Sequence, residues 1–464
     1  MRRPATGVVP HQEGQRDRPY EAPATISRRQ VPNPAREEFA GQMSERLSPV
    51  TTLLDRAASF GAAANLTCRE CGATYDLGPG NACEQCFGPL EVGYDESLLA
   101  SVTRESIEAG PNTMWRYGGL LPATPVVDLQ VGCTRLVRAD NLARELGIRT
   151  LWVKDDSGNP THSFKDRVVA VAASAAKALG FNVLSCASTG NLANAVAAAA
   201  ARAGLRSVVF IPHDLEPGKV VTTAVYGGTL VAVDGNYDDV NRLCAEVAGE
   251  QDDWAFVNVN VRPFYAEGSK TVGYEIAEQL GWRLPEQVVI PVASGALLTK
   301  VDKAWREFSR LGLVEGTPYK VFGAQATGCS PVSAAFAAGH DVVQPVRPST
   351  IAKSLAIGNP ADGPYALDVV RRTGGAIADV SDEEIVEGIQ LLARTEGIFG
   401  ETAGGVTVAV LRKLLATGQL DPDAETVILN TGDGLKTLDA VAPVAKPTAT
   451  IRPSLEAFRA AGLA

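Results

Sequence analysis

From about residue 150 to the 430s, short runs of β-branched and aliphatic residues alternate with helix-length, often alanine-rich stretches. The runs are TLWVKD (150–155), NVLSCAS (182–188), SVVFIP (207–212), TLVAVDG (229–235), WAFVNVN (254–260), QVVIPV (287–292), KVFGAQA (320–326) and TVILNTG (426–432). Near-continuous apolar strands that alternate with helices must be buried on both faces, which predicts an α/β fold with largely parallel sheets covered by helices. Ligands of such sheets sit beyond the carboxyl ends of the strands, so the residues just after each run are the first candidates for function.

Four of those junctions are polar or glycine-rich. After the first run, residues 157–164 (SGNPTHSF) lead into Lys165 at the start of a long helical stretch; a lysine beside the positive end of a helix dipole is pushed toward its neutral, nucleophilic form. The second junction, Ser188-Thr189-Gly190-Asn191, offers hydroxyls, an amide and close backbone approach at a helix start, the makings of a carboxylate cradle, although the same residues are common helix caps. The third, Ala293-Ser294-Gly295-Ala296-Leu297-Leu298, suits a phosphate. The fourth is Thr431-Gly432-Asp433-Gly434.

Upstream, Cys68-x-x-Cys71 and Cys83-x-x-Cys86 form two knuckles of the zinc-ribbon kind, which predicts a closed four-thiolate site for a structural zinc. Cys133, Cys186, Cys244 and Cys329 are scattered in apolar segments and read as core thiols rather than a disulfide framework. The acidic balance, 43 Lys+Arg against 53 Asp+Glu, argues against a nucleic-acid partner, and no apolar run is long enough for a membrane span, so a cytoplasmic protein is expected. Residues 1–42, rich in Arg and Pro and poor in apolar periodicity, read as a disordered tail, and Met43 as a candidate alternative start. The expected organisation is that tail, a module over 43–116 carrying the ribbon, a catalytic region over 117–445 with a smaller domain at about 180–260 inserted in a larger one, and an extension over 446–464.

The stretches NPTHSFKDR (159–167), STGN (188–191), EGSKT (267–271) and NTGDGLK (430–436) resemble those of pyridoxal-phosphate enzymes of the tryptophan-synthase-β type, and within them the threonine synthase family. The resemblance spans most of 64–440 and implies fold type II, with two parallel-sheet domains clasping pyridoxal 5'-phosphate. It implies that Lys165 holds the cofactor covalently and shuttles protons, and that Asn191 hydrogen-bonds the pyridoxal 3′-oxygen. Ser188, Thr189 and Gly190 would receive the substrate carboxylate; Ser294, Gly295, Ala296, Leu297 and Leu298 would hold the cofactor phosphate; and Thr431 would face the ring nitrogen. The reaction implied is O-phospho-L-homoserine plus water giving L-threonine and phosphate. Where relatives commonly carry Gly in the Asn-Pro-Thr-Gly-Ser stretch, this chain has His162, read as a side chain at the cleft rim.

The run WAFVNVN is expected to end at the cleft, placing Asn260 and Arg262, with Lys270 in the next helix, where a substrate phosphate could bind; the competing reading pairs Arg262 with an acid at a domain seam. Three alternatives stay open: a cysteate synthase-like enzyme, a threonine dehydratase-like enzyme, or a zinc-dependent binding protein on the same scaffold. A homodimer is equally open.

Overall fold

In the computed structural model the residues described are 59–463, apart from Val127 and Thr189. The tail expected over 1–42 and the alternative start at Met43 lie outside them.

The chain first folds a three-stranded antiparallel ribbon from β1 (Ala63–Cys68), β2 (Thr74–Tyr75) and β3 (Leu90–Tyr94), in the order β2-β1-β3. The body follows with β4 (Arg135–Arg138), β5 (Leu151–Asp155), β6 (Val183–Ala187), β7 (Arg206–Pro212), β8 (Thr229–Val233), β9 (Trp254–Phe256), β10 (Gln287–Pro291), β11 (Lys320–Ala326), β12 (Ile377–Val380) and β13 (Thr426–Asn430). These make two sheets. The larger has the order β12-β11-β10-β13-β5-β4, parallel except for the antiparallel edge strand β4; the smaller, β8-β7-β6-β9, is wholly parallel and is inserted in sequence between β5 and β10.

Strands β6, β10 and β13 are buried at every residue, as strands covered on both faces must be. Two alanine-rich helices, Lys165–Ala178 and Asn191–Ala203, are buried through most of their length. Small side chains let such helices approach their neighbours closely on several sides.

A buried ion network fixes the junction between β5 and helix Lys165–Ala178. The Arg167 guanidinium, fully inaccessible, donates to Asp156 just beyond β5 (2.8 Å) and to Glu275 of helix Lys270–Gln279 (2.5 Å), while Lys154 on β5 donates to the other Glu275 oxygen (2.7 Å). Burial works against the Glu275 carboxylate, yet Arg167 and Lys154 outweigh it and hold its pKa at about 2. Removing one member of such a cluster leaves an uncompensated buried charge at a cost of about 3–5 kcal/mol.

One expected run ends early, and two strands correspond to no expected run. β9 stops at Phe256 instead of continuing to Asn260, because Asn260 folds back on its own strand: its Oδ1 accepts from Phe256 N (2.8 Å) and its Nδ2 donates to the Trp254 carbonyl (3.0 Å). β4 and β12 carried no run of their own in the sequence reading; each has four residues, and β4 is charged at both ends. Beyond 446 the described chain holds one short exposed helix, Leu455–Ala460.

Candidate active site

The carboxyl ends of β6, β10 and β13 and the residues leading from β5 into its helix converge on a cavity of about 570 Å³. Lys165, Asn191, Ser294, Gly295, Ala296, Leu297 and Thr431 all line it, so residues far apart in the chain meet in one space. It adjoins a wider cleft of about 1490 Å³ that Ser188, Asn258 and Arg262 also line.

Lys165 is the first residue of its helix, and its Nζ donates to the Tyr265 hydroxyl at 2.8 Å. Removal from water pushes its pKa down to about 8, with Glu401 opposing the shift from a distance. No carboxylate forms an ion pair with it among the described residues. Burial is the largest cause, and the amine also stands at the helix start, as the sequence suggested.

Opposite it, Asn191 donates from Nδ2 to both oxygens of the buried Glu401 (3.0 and 2.8 Å), which sits just before helix Thr402–Ala416. The Asn191 Oδ1 is buried with no partner within the protein, and so is the Ser354 hydroxyl on the same cavity wall. Orphaned polar atoms facing one cavity call for polar atoms on a ligand. The turn at Ser294 opens helix Ala296–Arg310, whose first turn contains no acidic residue. Its leading N–H groups have no partner inside the helix, so the positive end faces the cavity and suits a phosphate. The cavity therefore fits an aldehyde cofactor with one phosphate and ring-bound polar atoms. Leu298 contributes no side chain to it and packs in the core.

The remaining expected residues divide. Ser188 reaches the wider cleft, but its Oγ accepts from Gly190 N (3.0 Å) and Ala193 N (2.8 Å), the capping role that competed with carboxylate binding. Gly190 does not line either cavity; at φ +123° it makes room for the stem of buried Lys219, which passes 2.2 Å from where a Cβ would stand. Thr189 lies outside the described residues. Asn260 is not on the wall, for the reason given above, and Asn258 is there instead, its Oδ1 also unpartnered. Arg262 is on the wall, with Nη2 paired to Asp362 at 2.5 Å, so the competing reading of that residue also describes a real contact. Lys270 is corrected outright: fully buried, it donates to Glu307 (3.0 Å) and the Leu120 carbonyl (3.0 Å) and pairs with Glu267 (2.8 Å), away from both cavities. His162 is exposed at φ +63°, in the left-handed region where glycine is at ease.

Glu401 and the Tyr265 contact escaped the sequence reading. Glu401 follows a helix and a short loop rather than an apolar run, so only the small, glycine-rich stretch Thr402-Ala403-Gly404-Gly405 marked the place.

The sequence profile of pyridoxal-phosphate dependent enzymes matches residues 127–432. A threonine synthase of Methanocaldococcus jannaschii is 39% identical over 379 residues, covering 80% of this chain and 93% of that protein. The chain belongs to the threonine synthase family. A second member, from Methanosarcina acetivorans, is 36% identical over 401 residues, covering 86% and 98%; one from Mycobacterium tuberculosis is 35% identical over 334 residues, covering 71% and 89%. Among solved structures, a fungal L-serine ammonia-lyase from Rhizomucor miehei superposes with a TM-score of 0.57 at 21% identity, covering 68% of this chain and 99% of that one. The processed form of threonine deaminase isoform 2 from Solanum lycopersicum does so at 0.55 and 19%, covering 79% and 98%. At that identity the two structures establish the shared fold, which is that of fold type II pyridoxal-phosphate enzymes. The family is thus one of pyridoxal-phosphate-dependent lyases acting on small molecules, and no helix among the described residues is long and apolar enough to cross a membrane.

Proposed function

We propose that this chain converts O-phospho-L-homoserine and water into L-threonine and phosphate. The observation that carries the reading is the Lys165 amine, depressed to about 8 and without an ion pair among the described residues, on a cavity that Asn191, with its orphaned amide oxygen, and the N-terminus of helix Ala296–Arg310 also line. Pyridoxal 5'-phosphate, when bound, supplies the electron sink that stabilises negative charge on the substrate α-carbon. The residues of the chain do the rest. Lys165 Nζ would hold the cofactor and would serve as the base and acid that moves protons at the substrate carbons. The N–H groups at 295–298 would hold the cofactor phosphate, Thr431 would serve the ring nitrogen, and Asn191, oriented by Glu401, would serve the ring oxygen. Of the residues expected to receive the substrate carboxylate, Ser188 is the one that lines the cleft among the described residues. Asp362 occupies one nitrogen of Arg262, and its remaining N–H groups are available for the leaving phosphate.

We also assign a structural zinc to Cys68, Cys71, Cys83 and Cys86. Their sulfurs lie within 4.8 Å of one another, with Cys68–Cys86 at 3.5 Å and Cys71–Cys83 at 3.6 Å. A tetrahedron with zinc–sulfur bonds of about 2.3 Å has edges of about 3.8 Å, so the thiols are already spaced for the metal. Metal analysis of purified protein should find about one zinc per chain, and chelation should lower the melting temperature without changing the cofactor absorbance; a metal-free protein of unchanged stability contradicts the assignment.

The test of the reaction is a substrate panel on cofactor-loaded protein. O-phosphohomoserine should release phosphate and threonine in equal amounts, while phosphoserine and L-threonine should turn over poorly. Preferential deamination of threonine, or replacement of the phosphate of phosphoserine, would overturn the reading. Arg262→Ala should raise KM for O-phosphohomoserine at least about tenfold, the worth of a charged hydrogen bond. An unchanged KM removes Arg262 from the substrate site.

A further inference from the structure

The two cysteine knuckles are built alike and finished differently. In both, the residue after the second cysteine donates its N–H four residues back, Gly72 to the Cys68 carbonyl (3.1 Å) and Phe87 to the Cys83 carbonyl (3.0 Å), and both residues are left-handed, at φ +74° and +60°. Gly72 is the unstrained solution, and a Cβ there would meet nothing within 4 Å. Phe87 pays a strain that glycine would avoid. Its ring gains nothing from the core in return, being 84% exposed.

What distinguishes the second knuckle is where it faces. Phe87, with Asn81, Ala82 and Pro89, lines the wider cleft into which Lys165 and Arg262 also open. The ribbon is braced there from two sides. Gly80 N donates to the Asn260 carbonyl (2.7 Å), two residues before Arg262. Arg69 stacks 3.6 Å above the Tyr365 ring, and the Tyr365 hydroxyl donates to Glu70, three residues after Asp362. The segments that carry Arg262 and Asp362 are therefore both tied to the ribbon, through Asn260 and Tyr365.

We propose that the ribbon is a wall of the catalytic cleft and that Phe87 is a specificity-determining residue, its ring covering the methylene chain of a bound amino-acid substrate and keeping water from it. This rests on the reading of the cleft as an amino-acid substrate site and adds to the ribbon a role beyond support. The physics is burial of apolar surface that is exposed only while the cleft is open.

The test uses Phe87→Gly in the full-length, cofactor-loaded protein. Relief of strain should leave the melting temperature equal or higher, with zinc content and cofactor absorbance unchanged. KM for O-phosphohomoserine should nevertheless rise about five- to twentyfold with kcat within about twofold, and so should the dissociation constant of its phosphonate analogue, read from cofactor absorbance. Phe87→Leu should recover most of the loss. Unchanged constants in Phe87→Gly make the ring a strained bystander and overturn the proposal, as does a fall in cofactor absorbance or zinc content, which would make its role structural. If the unsubstituted protein fails on O-phosphohomoserine, the proposed reaction falls, and the same wild-type-to-variant ratio is then read with whichever amino acid perturbs the cofactor absorbance. Absence of any such perturbation in either protein overturns both.

Discussion

Lys165 and Lys270 are each the first residue of a helix, yet their surroundings differ in one respect that decides their chemistry. Lys270 belongs to a cluster in which Lys270, Lys300 and Lys303 are matched by Glu91, Glu267 and Glu307; Glu267 alone contacts all three lysines at 2.8–2.9 Å. There burial of Lys303 is outweighed by Glu267 and Glu91, which drive its pKa up, and Glu91 is held at about 2 by Lys300 and Lys303 against its own burial. Lys165 is removed from water without such a partner and falls to about 8. For Lys303 contacting carboxylates outweigh burial; for Lys165, with no carboxylate in contact among the described residues, burial prevails. At pH 7 a pKa of about 8 leaves about one amine in ten neutral, about 300-fold more than an ordinary lysine offers.

The comparison can be broken from either side. Lys165→Ala should abolish the borohydride-reducible link to the cofactor and lower kcat by more than about 10³-fold, while the protein still folds, because the mutated amine supports no ion pair. A linkage surviving at another lysine would refute the assignment. Glu267→Gln should act in the opposite sense, costing about 3–5 kcal/mol in denaturant unfolding because three buried ammonium groups lose their common anion, with cofactor attachment retained in the folded fraction. Stability within about 1 kcal/mol of the parent would show that the cluster is solvated. The smallest effect is expected from Tyr265→Phe, which removes one neutral hydrogen bond: kcat should fall about three- to tenfold with the linkage intact. No change would show that the 2.8 Å contact does not act in turnover.

The same pair of lysines shows what the sequence could and could not convey. Residue types at strand ends were legible, because the runs and the polar turns after them are local: Lys165, Asn191, Ser294 and Thr431 do meet in one cavity. The EGSKT stretch was equally visible but misread, since nothing local tells whether Lys270 faces a cleft or Glu307, thirty-seven residues away. Glu401 and Tyr265 reach the site through contacts spanning 210 and 100 residues, which no pattern along the chain records. Asn260 failed for a smaller reason: a side chain that can satisfy its own strand ends it early and turns Asn258 to the cleft in its place.

The state of the Lys165 amine before any cofactor is attached decides whether the site can work as proposed. It can be read directly by heteronuclear NMR of cofactor-free protein carrying labelled lysine side chains, with the Lys165 signal assigned by its loss in Lys165→Ala. A titration near pH 8 is expected, with the neutral form increasing as pH rises through that value and Lys303 of the Glu267 cluster still charged. A midpoint at the ordinary value of about 10.5 would contradict it.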